Sequence, residues 1–296
     1  LPFYRVYALC YDSFDLKTER QDNAMSIPSD FHLHSSFSGD CDTPMDLMVR
    51  SGIAKGLQSM CFTEHNDFDF PDIPESGINS STFLLNVDSY LYDILRMREK
   101  YADKIQILFG IEIGLQDSCL DKNTELTNAY DFDFVIASSH LCMGADPYYP
   151  SFFENHKASD GYRAYFEEML SYVRNYKDYD VYGHLDYIAR YAPADADRSF
   201  SYFDYSDLID EILKAIISNH KGIECNTSGL RKPLNATNPS VDILKRYKEL
   251  GGEIITVGSD AHFAEHVAAD FDKAADILKA CGFRYYNTFV HRQPVF

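Results

Sequence analysis

Residues 105–113, Ile105-Gln-Ile-Leu-Phe-Gly-Ile-Glu112-Ile113, form an apolar run of strand length that carries an acid near its end. The same design recurs on both sides of it. Short apolar strand candidates lie at 29–33, 59–63, 134–138, 181–183, 222–225 and 253–257, with a last one at 285–290. Between them, residues 87–100, 162–176, 204–219, 240–250 and 264–280 carry apolar side chains at three- and four-residue spacing, which predicts amphipathic helices. Asp42-Thr43-Pro44 reads as another helix start, a polar cap followed by proline in the first turn. Seven or eight such strand–helix units in a row predict a mainly parallel sheet covered by helices. A closed barrel and an open doubly wound sheet both satisfy that pattern. No G-x-G-x-x-G or Walker A run follows a strand, which removes support from the nucleotide-binding open sheets. The longest irregular segment is expected at 141–161, a length at which loops often serve as lids.

The 296 residues carry 27 Lys and Arg against 46 Asp and Glu, a net charge of -19. That balance argues against a nucleic-acid-binding surface, which needs clustered cations. It is compatible with a small phosphorylated ligand, because one or two buried Arg suffice to bind a phosphate. No stretch reaches the roughly 18–20 apolar residues of a membrane helix. Seven scattered Cys without a C-x-x-C pair suggest reduced thiols in a cytoplasmic protein. Cys61 and Cys225, in apolar strands, read as small buried hydrophobes. Residues 1–25 read as a leader outside a single domain at 26–296. The first 24 lack signal-peptide character, and Asn23-Ala24-Met25 resembles an expression-vector scar, with Met25 as the expected native start.

The ionisable residues cluster at strand ends. His32 and His34 are two apart at the end of the first strand, so both imidazoles face one side. Asp40 follows in a Ser/Gly loop, and His65 closes the second strand. Glu112 lies at the end of the opening run; His140 closes Ile136-Ala-Ser-Ser-His140, and His184 closes Val181-Tyr-Gly-His184. Asp260 and His262 close Val257-Gly-Ser-Asp-Ala-His262. In a β/α barrel these nine positions would converge on one face, where active sites are built. His156, His220, His266 and His291 do not close strands and read as structural or surface residues. Glu64 and Asp67, beside His65, are either solvated carboxylates or partners that orient an imidazole.

The nine donors are nitrogen and oxygen only, which suits Zn, Mn or Fe. They exceed what one tetrahedral ion uses, so two or three divalent ions are expected. Paired ions activate a water near neutral pH and clamp a phosphate oxygen. Arg190 follows the strand that His184 closes, and Arg231 lies at the mouth of the strand between those of His184 and Asp260; both are candidate phosphate-binding residues, since guanidinium meets phosphate through parallel hydrogen bonds.

These motifs resemble the polymerase and histidinol phosphatase (PHP) family. The likeness rests on His32-Leu-His34 with Asp40, Thr63-Glu-His65-Asn-Asp67, Gly110-Ile-Glu112, Ser138-Ser-His140, Gly183-His184 and Gly258-Ser-Asp-Ala-His262. It covers nearly everything from Phe31 to His262. Asp40 stands where some members have His. The resemblance implies a distorted (β/α)7 TIM-like barrel of PHP type with a trinuclear centre. His32, His34, Glu112 and Asp260 would hold one ion. Glu112, His140 and His184 would hold the second, and Asp40, His65 and His262 the third. Within the family, the runs Asp146-Pro-Tyr-Tyr-Pro-Ser-Phe-Phe-Glu154, Gly183-His-Leu-Asp-Tyr-Ile-Ala-Arg190 and Glu224-Cys-Asn-Thr-Ser-Gly-Leu-Arg-Lys-Pro233 are most similar to members that hydrolyse L-histidinol phosphate. That implies a metal-dependent phosphoric monoester hydrolase of histidine biosynthesis. Arg190 and Arg231 would bind the phosphoryl group, and Asp260 and His262 are the candidates for protonating the leaving alkoxide.

Three other readings fit less of the sequence. A PHP phosphoesterase acting on nucleotides or phosphotyrosine would share the metal motifs. A metal-dependent amidohydrolase on a related barrel usually relies on a carboxylated Lys or fewer ligands, and no Lys closes a strand. A non-catalytic PHP module often loses ligands, whereas all nine are kept here.

Overall fold

Seven parallel strands adjoin in sequence order: β1 (Ser29–Leu33), β2 (Ser59–Asn66), β3 (Gln106–Gly114), β4 (Phe134–Ser138), β5 (Val181–Tyr182), β6 (Gly222–Asn226) and β7 (Ile255–Gly258). The computed structural model describes residues 25–155, 157–192 and 200–296. The expected leader at 1–24 and His156 lie outside them.

Alternation along the strands explains how one sheet holds both a core and a site. In β3, Ile107, Phe109, Ile111 and Ile113 belong to the outer core shared with the helices. Leu108, Gly110 and Glu112 point the other way, since successive strand residues face opposite sides. Leu108 joins Phe31, Cys61, Phe134, Ile136 and Val181 in an apolar floor inside the barrel. Glu112, four residues further along, reaches the polar upper layer. A strand buried on both faces reads as a near-continuous apolar run, which is why residues 105–113 look as they do.

The barrel closes between β1 and β7 through side chains more than through a ladder. Leu33 and Ala261 form one isolated bridge, and the register of β1 against β2 shifts between Asp30 and Leu33. The buried Asp30 carboxylate accepts hydrogen bonds from Ser259 N (2.9 Å), Ser259 Oγ (2.5 Å) and Ala268 N (2.9 Å). Asp260 N donates to His32 O at 2.6 Å across the same seam.

The outer helices are α1 (Met45–Ala54), α2 (Val87–Lys100), α3 (Leu120–Ala129), α4 (Ser151–Asn155), α5 (Ala158–Asn175), α6 (Ser206–Ser218), α7 (Val241–Glu249) and α8 (Phe271–Ala280). In α2, Asn86 Oδ1 accepts from Ser89 N (3.1 Å), and Val87, Tyr90, Ile94 and Met97 form the buried stripe. Among the described residues, no helix is long and apolar enough to cross a membrane.

Four expectations need correction. The eighth strand is short: β8 (Thr288–Val290) pairs antiparallel with β9 (Gln293–Val295) and not with the barrel. Its Phe289 packs into the apolar floor, 4.9 Å from the Phe134 ring, so the hairpin plugs the barrel from below. Helix α8 begins at Phe271, because a 3-10 turn (Ala264–His266) and the loop after it precede it. Helix α3 was not foreseen; only Asn123 and Thr127 are buried on it, so its apolar signal is weak. Finally, residues 141–161 contain α4 and the start of α5. Residues 67–86, with one 3-10 turn (Pro74–Ser76), are a longer irregular stretch.

Candidate metal centre

Glu112 stands at the middle of the cluster. Its Oε2 lies 3.2 Å from His32 Nε2, 3.6 Å from His34 Nε2 and 3.0 Å from His65 Nδ1. Its Oε1 lies 3.2 Å from His140 Nε2 and 2.9 Å from His184 Nε2. Asp260 Oδ1 lies 3.9 Å from His32 Nε2 and 3.7 Å from His34 Nε2. Asp40 Oδ2 lies 3.1 Å from His262 Nε2 and 3.6 Å from His65 Nε2. The structure thus gathers all nine candidate ligands in one continuous cluster around one carboxylate.

The donor set fits metal ions on three physical counts. First, His32 Nε2, His34 Nε2, His65 Nδ1 and Glu112 Oε2 are buried without a hydrogen-bond partner. Such atoms are costly unless a ligand satisfies them. Second, bonds of about 2.0–2.1 Å to a tetrahedral ion put its ligand atoms roughly 3.3 Å apart, close to the separations found here. Third, the outer hydrogen bonds assign tautomers that leave the inner nitrogens with lone pairs. His32 Nδ1 donates to Glu224 Oε1 (2.7 Å) and His140 Nδ1 to Asp67 Oδ1 (2.7 Å). Ser38 Oγ donates to Glu64 Oε2 (2.6 Å), so it accepts from His34 Nδ1 (3.0 Å). With an ion bound, each ring would be neutral and present Nε2 to it. Glu64 and Asp67 are therefore buried orienting partners and not solvated carboxylates.

The electrostatics follow from dense packing of charge. Burial pushes the Glu112 carboxyl up, but the imidazoles of His32, His140 and His65 outweigh it and hold it well below the usual range. Burial works against protonation of His140, yet Asp67 and Glu112 raise it to about 10. His34 is lowered by burial and then by the neighbouring imidazoles of His65, His262 and His32. In the Asp260 carboxyl, Arg190 and the surrounding imidazoles overcome burial and keep it ionised.

Arg190 and Arg231 both reach the cavity, with different freedom. Arg190, in a 3-10 turn (Tyr187–Tyr191), is buried and donates to Asn238 Oδ1 (2.7 Å), Asp260 Oδ2 (2.8 Å) and Asn226 Oδ1 (2.8 Å). Two of its five N–H groups remain for a ligand. Arg231 is held by Ser259 O (2.6 Å) and is more open, its side chain 19% exposed. They line a cavity of about 570 Å³ together with His65, Asp146, Tyr187 and His262.

Sequence reasoning missed Glu224 as a site residue. Its Oε1 bonds His32, and its Oε2 accepts from His184 N (3.0 Å) and Asn226 Nδ2 (3.1 Å). An acid inside an apolar strand, Gly222-Ile-Glu-Cys-Asn226, was the available signal. Ser138, whose Oγ donates to Glu112 Oε1 (2.6 Å), was also missed. Gly258 makes room for His32 and Glu224: a Cβ there would sit 2.2 Å from His32 Cβ and 2.3 Å from Glu224 Oε1.

The PHP domain model matches residues 30–228, more than half of the chain. The chain belongs to the PHP family. Among its PHP relatives, the histidinol-phosphatase of Lactococcus lactis subsp. lactis is 35% identical over 261 residues, 88% of this chain and 93% of that protein. A Clostridium acetobutylicum relative is 33% identical over 86% of this chain and 94% of its own length. A crystal structure of histidinol phosphate phosphatase from L. lactis, complexed with zinc, L-histidinol and phosphate, superposes with a TM-score of 0.82 at 33% identity. It covers 90% of this chain and 98% of that one. The barrel described above is thus a PHP barrel, as the motifs implied.

Proposed function

We propose that this PHP protein is a histidinol-phosphate phosphatase, converting L-histidinol phosphate and water to L-histidinol and phosphate. The observation that carries the reading is the nine-donor cluster around Glu112 at the base of a cavity walled by Arg190 and Arg231. Its likeness to a phosphatase that binds zinc, L-histidinol and phosphate supports the substrate.

His32, His34, Glu112 and Asp260 would hold one divalent ion, Glu112, His140 and His184 a second, and Asp40, His65 and His262 a third. Ions held there supply an activated water at neutral pH and positive charge for the phosphoryl oxygens. The remaining work falls to the chain itself. Glu224, Asp67 and Ser38 fix the rings of His32, His140 and His34, so the donors are preorganised. Arg231 and the two unused N–H groups of Arg190 offset charge on the equatorial oxygens. A group that protonates the leaving alkoxide must carry a proton. The ionised Asp260 does not meet that requirement, which leaves His262, 21% exposed beside the cavity, as the better of the two candidates.

Steady-state kinetics on a panel of phosphomonoesters, with zinc and with manganese, tests the reading. A kcat/KM for histidinol phosphate no higher than that for p-nitrophenyl phosphate would reject the substrate and leave the hydrolytic chemistry standing. A nucleotide or phosphotyrosine preferred in the same panel would point to the other phosphoesterase reading.

A further inference from the structure

The cavity holds one carboxylate that the metal centre does not use. Asp146, in the loop after β4, is 9% exposed and lines the cavity. Its Oδ1 accepts from Tyr148 N (2.8 Å) and from Tyr187 Oη (3.1 Å). Its Oδ2 has no hydrogen bond, and no Lys, Arg or His lies within ion-pair distance among the described residues. The other carboxylates lining the cavity differ. Asp40 faces His65 and His262, Asp67 faces His140, and Asp260 faces Arg190. A buried anion without a cation is costly, and such a group at a cavity wall invites a charged ligand.

We propose that Asp146 recognises the ammonium group of the substrate and selects amino-alkyl phosphates from other phosphomonoesters, a role that rests on the histidinol-phosphate reading above. The cavity is bipolar. Arg190, Arg231 and Lys232 line it as cations and Asp146 as a carboxylate that none of them pairs. Tyr187 joins Asp146 to the metal donors: its hydroxyl bonds the carboxylate, and its ring centroid lies 5.2 Å from that of His184 and 5.6 Å from that of His140. A ligand that spans one aromatic ring can therefore touch both. Burial raises the Asp146 carboxyl to about 6, and a bound ammonium would favour the ionised form. The ammonium, and not the imidazole, suits this partner, because at pH 7 the amine is mostly protonated whereas an imidazole, titrating near about 6.5, is mostly neutral. The imidazole is left to the aromatic wall, where Tyr148, Tyr191 and Tyr187 rings contact one another at 5.3 and 5.1 Å.

The test compares L-histidinol phosphate with its des-amino analogue, 3-(imidazol-4-yl)propyl phosphate, on metal-loaded wild type and Asp146→Asn. Asn keeps an oxygen for Tyr148 N and Tyr187 Oη while removing the charge. The readout is the ratio of kcat/KM for the two substrates within each protein. Wild type should prefer the amine by about 30-fold, the scale of one charge-assisted contact, and the ratio should fall to within about 3-fold of unity in Asp146→Asn. A variant that keeps the wild-type ratio overturns the assignment while leaving the substrate reading intact. Failure of the substrate reading shows in wild type alone, as no preference for histidinol phosphate over p-nitrophenyl phosphate, and it removes the Asp146 role with it. If Asp146→Asn turns over too slowly, calorimetric binding of L-histidinol against 3-(imidazol-4-yl)propan-1-ol gives the same ratio. Asp146→Glu, which restores the charge, should recover part of the preference; no recovery, with the ratio still near unity, would overturn a charge-based role.

Discussion

Glu224 Oε1 lies 2.7 Å from His32 Nδ1 in a fully buried pair, and the opposite nitrogen of that ring faces Glu112 and Asp260. Glu224 thus sets the direction of a ring it does not share with any ion. It accepts three hydrogen bonds, from His32, His184 N and Asn226. Glutamine has one acceptor oxygen and cannot serve all three. Glu224→Gln should weaken metal binding at the His32 site by about 10–100-fold while circular dichroism stays unchanged. Elemental analysis after dialysis against a graded chelator series measures it. Wild-type metal retention would refute the orienting role.

The two arginines should separate by phenotype. Arg231→Ala should lower kcat/KM for a phosphomonoester by about 100-fold and leave the metals in place, because the removed contacts are mainly to backbone oxygens. Arg190→Ala strips the cation from buried Asp260, leaves Asn238 Oδ1 without its donor and leaves Asn226 Oδ1 with Ser228 N alone. It should cost about 3–5 kcal/mol of stability and reduce metal content. Urea unfolding with parallel metal analysis distinguishes them. Equal stability losses in the two variants would contradict this division.

Metal removal should destabilise the fold. The buried imidazole nitrogens and Glu112 Oε2 lack partners without ions. An ion present at about a thousand times its Kd stabilises by about 4 kcal/mol, a Tm shift on the order of 10 °C. Chelation followed by thermal scanning should show that drop, and added zinc or manganese should reverse it. A Tm indifferent to both treatments would count against the cluster as an ion site.

The outer surface offers a pH test away from the cluster. Asp210 receives Arg246 Nε and Nη2, the latter at 2.6 Å, and these hydrogen bonds hold its carboxyl below the ordinary 3.8. A carboxyl depressed by folding stabilises above its ordinary value, and the contribution fades as pH falls from 3.8 through the folded value. Solvent screens the pair, so Asp210→Asn should lower Tm by only about 1–3 °C at pH 7. The gap to wild type should close below pH ~3.5. A gap that widens on acidification would show the sign to be wrong.

Phe289 tests the plug beneath the barrel. It is 2% exposed and meets Phe134 at 4.9 Å. Phe289→Ala should cost about 3–5 kcal/mol by chemical denaturation, with metal content retained, because the cavity opens in the apolar floor. A loss below about 1 kcal/mol would mean that the hairpin contributes little.

The legible parts of this fold were those set by local pattern. β1 and β4 match the strand candidates residue for residue, and α2 matches its helix candidate, since apolar periodicity and an Asn86 cap act within a few residues. The nine candidate donors were legible because His and acids recur at or just beyond successive strand ends, two of the sets as pairs two apart. Helix α3 was not, for it buries little apolar surface, and neither was the fate of residues 285–290, whose apolar run is also what a barrel strand would show.

Sequence alone determined the alternation of strands and helices, the residue types at the strand ends and the resemblance that named a family. Only the tertiary structure decided which atoms meet. Glu224 and His32 lie 192 positions apart, and nothing local to either strand records the contact. The same holds for Asp30 closing the β1–β7 seam and for Asp146, whose missing counter-charge exists only once the cavity has formed around it. Local pattern fixes which way a side chain faces, whereas charge pairing and desolvation depend on every element that packs against it.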